Sequence, residues 1–234
     1  MANLAVSAML SRCAVILQDP TNIRWPQTEL LDWLNDGQRE IVLYKPNTSV
    51  KNTTVTLAAG TKQILPTDGI ALIDVVRNMG TSPGTTPGNA IRMVSREILD
   101  SQITNWHATT PSATVKHFMF SALDPKSYYV YPPQPNSSFG YVEIIYSASP
   151  TDCVNTSPGT DKIQIDDVYA TALVNYILYR AYSKDAEYAA NAQAALAYYQ
   201  QFQGILQGKV TGEAVLNPNQ ALAPFNPNVP GTNK

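Results

Sequence analysis

Twice along this chain the apolar residues change their spacing, and that double change restricts the folds open to it more than any other feature. Val6, Met9, Leu10, Cys13 and Leu17 recur every three or four positions, and so do Leu30, Leu34, Gly37, Ile41 and Tyr44. From Thr53 to about Ile165 the period falls to two, in β-branched and aromatic runs broken by clusters of Gly, Pro, Asn and Asp. It returns to the helical value from Val168 onward. Helices at both ends with strands between them predict an α+β fold: a helical bundle from the N- and C-terminal helices, an inserted, mainly antiparallel β domain, and an extended C-terminal arm. The expected boundaries are 1–50 for the N-terminal helices, 51–165 for the β domain, 166–207 for the helical hairpin that completes the bundle, and 208–234 for the arm.

Within this plan the first helix runs over 6–17 and ends near Asp19-Pro20, and the second begins at Pro26, where proline suits a first helical turn and Glu29 favours the helix dipole. Gly37 on the second helix's apolar stripe costs about 1 kcal/mol against alanine, which is tolerable where another helix crosses closely. Seven strands are expected over 54–58, 62–65, 72–79, 90–94, 115–121, 127–131 and 141–147, as a sandwich or a small barrel, with a short helix at 96–103. Turns are marked by Ala59-Gly60, Asp68-Gly69 and Asp124-Pro125, and by loops at 80–88 and 132–138. Asp166 and Asp167 suit an N-cap and first turn; the helix after them, 168–182, is apolar nearly all round and has to be covered on most sides. Tyr188, Ala192, Ala195, Tyr199, Phe202 and Leu206 then form the stripe of an alanine-rich helix packed antiparallel to it. The final 27 residues carry four prolines and five asparagines but no apolar period, and read as an arm with Val215, Leu216, Leu222 and Phe225 as anchors. Extended at roughly 3.3 Å per residue, the arm spans up to about 90 Å.

Composition narrows the function. Only 15% of residues are charged, where about 25% is usual, and 66 are Asn, Gln, Ser or Thr. A surface kept in solution by uncharged polar groups is cheap to cover, which suits a protein whose outside becomes interface. The net charge of −2 argues against nucleic acid as the main ligand, and no apolar run approaches the roughly 20 residues of a membrane span. The first 19 residues lack the pattern of a signal peptide, so synthesis in the cytoplasm is expected. Cys13 and Cys153 then read as reduced buried thiols, and the triplets at Asn47, Asn52, Asn136 and Asn155 need no glycan.

No constellation for chemistry emerges. His107 and His117 lack partners at metal-ligand spacing, no nucleophile elbow or phosphate loop is present, and no cofactor or metal is expected. Asp32 and Asp36, one helical turn apart, read as solvated residues rather than a catalytic pair. Tyr128, Tyr129 and Tyr131 suit strand packing, with sugar or base stacking as the alternative.

The stretch Trp25 to Ile41 (WPQTELLDWLNDGQREI), Asp74 to Gly80, Trp106-His107, Asp124-Pro125-Lys126, Tyr129 to Pro133 and Leu178 to Tyr188 together resemble a family of tailed-phage virion proteins, the head-to-tail connector adaptors of short-tailed phages. The likeness spans about residues 5–207. It implies a structural, non-enzymatic virion protein made in the bacterial host: a twelvefold ring beneath the portal protein, meeting the tail nozzle or tail tube below, with genomic DNA passing through without specific binding, and in some members a C-terminal arm inserted into the portal. On this basis Trp25, Trp33 and Arg39 are structural. Trp33, Arg39 and Arg180 are the candidate subunit-contact residues, with burial of Trp33 in its own bundle left open, and the four anchors of the arm are the candidate portal-docking residues. The competing expectation is an accessory module holding a host glycan through the tyrosine-rich β domain; a cell-wall hydrolase has the least support, because no acid and base are paired.

Overall fold

The computed structural model describes residues 4–154, 161–185 and 189–216. Helices α1 (Val6–Ile16) and α2 (Gln27–Tyr44) come first, strands β1 (Val50–Thr56), β2 (Gly60–Ile64), β3 (Gly69–Asn78) and β4 (Arg92–Met93) follow, and α3 (Arg96–Gln102) leads to β5 (His117–Ser121), β6 (Asp124–Gln134) and β7 (Tyr141–Ala148). Helices α4 (Ala170–Lys184) and α5 (Ala189–Leu216) close the chain. The α+β plan is therefore as expected: α1, α2, α4 and α5 share one apolar core, and the strands form another.

α1 stops where Gln18 turns to φ 57° and the Asp19 N–H donates back to the Ala14 carbonyl. The Asp19 carboxylate then accepts from the N–H groups of Ile23, Arg24 and Trp25 at 2.8 to 3.0 Å, which aims the chain into α2. Those bonds, the one from Trp25 foremost, hold the Asp19 carboxyl below its ordinary pKa. At the far side, Asp166 caps a turn of 3-10 helix by accepting from the Val168 N–H at 3.3 Å, and α4 follows. Ala172 to Leu178 are buried without a break, so the helix expected to need covering on most sides is covered by α1, α2 and α5. α2 crosses it at Gly37, where an added Cβ would stand 2.9 Å from Tyr176 Cδ1 and 3.2 Å from Leu173 Cδ2. The cost of a mid-helix glycine is thus offset by a contact that no other residue allows.

The strands make two sheets, β1-β7-β3 and β2-β6-β5-β4, antiparallel except for the short parallel β4–β5 pair. Val75, Val142 and Ile144 of the first sheet share a core with Phe118, Tyr128 and Val130 of the second, a sandwich rather than a closed barrel. Strand limits differ from the expectation for local reasons. β1 begins four residues early because it is a polar edge strand, paired with β7 from Val50↔Ser147 onward, and shows no alternation to read. The β5–β6 turn is Ala122-Leu123, and Asp124-Pro125 already belongs to β6. β6 continues through Pro132 and Pro133, beyond β5's last partner at Tyr131, where a missing N–H breaks no ladder.

A larger correction concerns the end of the chain. α5 runs to Leu216, so Val215 and Leu216 occupy its last turn instead of an extended arm starting at Gly208. The glycines at 208 and 212 each cost only about 1 kcal/mol in a long helix, and the first proline comes at 218. Leu222 and Phe225, like Tyr188, lie outside the described residues.

Replacing Gly37 by valine forces its branched side chain into Tyr176 and Leu173; urea denaturation is expected to show a loss of about 1–3 kcal/mol, the range for overpacking a filled core.

Candidate assembly surfaces

The residues singled out for chemistry are engaged in packing. His107 stacks on Trp106 with ring centroids 3.7 Å apart, and its Nδ1 meets Thr61 Oγ1 at 2.8 Å. His117 stacks on Tyr131, and its buried Nδ1 has no hydrogen-bond partner. Tyr128 is buried in the sandwich, while Tyr129 meets Trp106 and His107 edge-on. Asp36 forms an ion pair with Arg39 at 2.9 Å on an exposed stretch of α2. Cys13 and Cys153 are both buried free thiols; burial pushes Cys13 up to about 12 and raises Cys153, so both stay protonated and unreactive near neutral pH. Among the described residues no three His, Cys, Asp or Glu side chains stand together as a metal site.

The candidate contact residues separate. Trp33 is 7% exposed in the bundle core, so its side chain has almost no surface to offer a neighbour and the subunit-contact assignment gives way to the burial alternative. Arg39 is half-exposed and pairs with Asp152 as well as Asp36. Arg180 is exposed on α4 and has no ion-pair partner among the described residues. Trp33 and Arg39, six positions apart on one helix, point to different faces.

What the sequence concealed is how the two modules are joined. Asn35 and Gln38 are buried on α2, and both serve the segment that returns from the sandwich to α4. Asn35 Nδ2 donates to the Cys153 carbonyl at 2.9 Å while Asn35 Oδ1 accepts from the Cys153 N–H at 2.9 Å, as a neighbouring strand would. Gln38 Oε1 accepts from the Gln164 N–H at 2.6 Å. Two amides at i and i+3 beside the stripe Leu34, Gly37, Ile41 were the available signal. Across the seam Ser147 Oγ of β7 donates to the Pro46 carbonyl at 2.8 Å, and beside it, within the bundle, the buried Lys45 ammonium donates to Tyr169 Oη at 3.1 Å.

The seam also opens to solvent as a groove of about 570 Å³. Its apolar side is Leu43, Pro46, Ile70 and Pro150, and its charged lip is Asp36, Arg39 and Glu40. Of the three candidate contact residues only Arg39 lines it. The groove is thus a concavity of mixed apolar and charged lining.

The family model of the SU10 adaptor protein matches residues 5–223. The chain belongs to the SU10 adaptor protein family. This bears out the resemblance carried by Trp25 to Ile41 and the later motifs, and gives the protein a structural adaptor role in a bacteriophage virion, at the junction of head and tail. The match takes in both modules of the adaptor and all of α5. Comparison with curated proteins finds no match. No helix among the adaptor's described residues is long and apolar enough to cross a membrane.

Asn35→Ala removes the two bonds that Asn35 makes to the strap and leaves the Cys153 N–H and carbonyl buried without that partner. The expected loss is about 2–4 kcal/mol in denaturant unfolding, since each unsatisfied group costs about 1–3 kcal/mol, together with faster protease cleavage between residues 149 and 165.

Proposed function

We propose that this adaptor assembles as a ring, twelvefold as its family resemblance implies, which docks beneath the portal protein, presents a platform to the tail nozzle or tail tube, and surrounds the channel through which genomic DNA passes. The observation that carries this reading is the family match across both modules. The fold is suited to it. Asn35 and Gln38 on α2 bind the segment returning from the sandwich at Cys153 and Gln164, which helps a contact made at one module reach the other, as a part wedged between portal and tail requires. The role is mechanical, with no catalytic step, and the surface of Asn, Gln, Ser and Thr is covered at lateral and axial contacts with little desolvation cost.

The domain limits carry over with one change: residues 1–50 and 166–216 form the bundle, 51–165 the β domain and its strap, and the portal-docking segment begins after α5, with Leu222 and Phe225 as its anchors. Arg39 and Arg180 serve lateral contacts, while Trp33 holds α2 in the bundle that presents them. The weak net charge leaves DNA few phosphate contacts to be retained by.

Electron microscopy of the purified chain, alone and mixed with its portal, tests the reading. Closed rings seated coaxially on the portal are expected, and Arg180→Glu is expected to reduce ring occupancy without lowering the melting temperature. Chains that remain monomeric with portal present, across salt and crowding conditions, refute it.

A further inference from the structure

The two-residue turn between β5 and β6 is Ala122-Leu123, and Leu123 is 97% exposed. Small polar residues are the usual occupants of such tips; neither Ala122 nor Leu123 takes a positive φ here, so what is out of place is the apolar side chain left in water. A leucine there contributes nothing to its own fold. The turn is nevertheless held firmly: the Leu123 N–H donates to Ser121 Oγ at 3.3 Å, and Ser127 Oγ donates to Asp124. The result is a hairpin whose tip carries one exposed apolar knob.

The seam groove is its complement. About 570 Å³ is room for a hairpin tip rather than for one side chain, and the wall is apolar at Leu43, itself 81% exposed, Ile70 and Pro150. The charges match as well. Glu40 on the lip accepts hydrogen bonds from Tyr199 and Tyr176 and forms no ion pair among the described residues, and Lys126, three residues beyond the knob, forms none among them either. Two different uncovered patches on one chain, an apolar knob followed by a lysine and an apolar groove edged by Glu40, suit a head-to-tail contact, which builds a ring when its rotation closes, whereas a single self-complementary patch makes a dimer.

We infer that the groove at the bundle–sandwich seam receives the 121–124 hairpin of a second copy of this chain, with Leu123 against Leu43, Ile70 and Pro150 and Lys126 against Glu40. This rests on the ring reading above and names the lateral contact within it.

Ring assembly of the full chain, alone and on its portal, is followed by mass photometry. Leu123→Asp is expected to weaken assembly by about tenfold or more, the effect of losing one buried apolar anchor, and its exposure keeps the fold intact. Lys126→Glu is expected to weaken assembly, and adding Glu40→Lys to the same chain to restore it. Chains carrying Leu123→Cys mixed with chains carrying Leu43→Cys should be joined by a short bismaleimide, while each variant alone should not; the native thiols are buried and silent. Rings that form equally well with Leu123→Asp, or that give no mixed crosslink, overturn this contact and leave the adaptor reading standing. A native chain that neither self-associates nor joins the portal overturns both.

Discussion

The crossing of α2 over α4 at Gly37 is the contact on which the rest of the molecule depends. α4 is apolar around nearly its whole circumference, so leaving any side uncovered exposes several large side chains, each worth about 1.5–3 kcal/mol when buried. Covering it from α2 requires backbone within van der Waals reach of Tyr176, which only a residue without a Cβ permits. Once α2 lies there, its neighbouring face is turned to the chain returning from β7. Asn35 and Gln38 stand on that face, and the strap that ties the sandwich to the bundle is a consequence of the same helix placement. The groove between the modules follows in turn, since its floor and lip come from the C-terminal half of α2 and the start of the strap.

Features generated by periodicity were legible in the sequence. Helix α1, helix α2, the all-round apolar helix, the hairpin with α5 and the strands with a buried face such as β3, β6 and β7 leave a spacing pattern because each has a dry face. The family was legible for a different reason, the order and spacing of motifs such as Trp25 to Ile41, which no single physical rule generates. Gly37 lay between the two: its cost was visible in the sequence, while the helix that justifies it was visible only in the fold.

The misreadings share a cause, which is that they concern residues whose partner is distant or whose pattern is silent. Polar β1 has no alternation, so its first four residues passed as loop. The last two turns of α5 are silent in the sequence because beyond Leu206 the apolar period lapses and the prolines and asparagines of the segment from Gly208 point to an extended chain, while the helix already held by Ala195, Phe202 and Leu206 bears the modest cost of its glycines. Trp33 carried equal weight for a subunit contact and for the core, because a tryptophan on an amphipathic helix satisfies both until the neighbouring helices are in place. Asn35 and Gln38 were missed for the opposite reason: amides beside an apolar stripe look solvent-facing until a strand-like segment, 118 residues away in the Asn35–Cys153 pair, comes to lie on them.

These details bear on assembly through rigidity. A subunit that closes a ring has to hold its two contact surfaces at a fixed angle, because an angular error repeats at every step around the ring and opens it. Here a surface on the sandwich and a surface on the bundle belong to different cores, and an ordinary linker would let them rock. The adaptor instead fixes the return segment by strand-like bonds to side-chain amides and adds the Ser147–Pro46 bond across the same seam. Buried polar bonds of this kind fix geometry through direction more than through strength, since misaligned partners lose most of the bond while displaced apolar groups lose little. In the proposed ring, the shortage of charge on the outside and the directional polar bonds at the seam are therefore complementary: the outer surface is cheap to cover, and the inner seam holds the angle between the surfaces being covered.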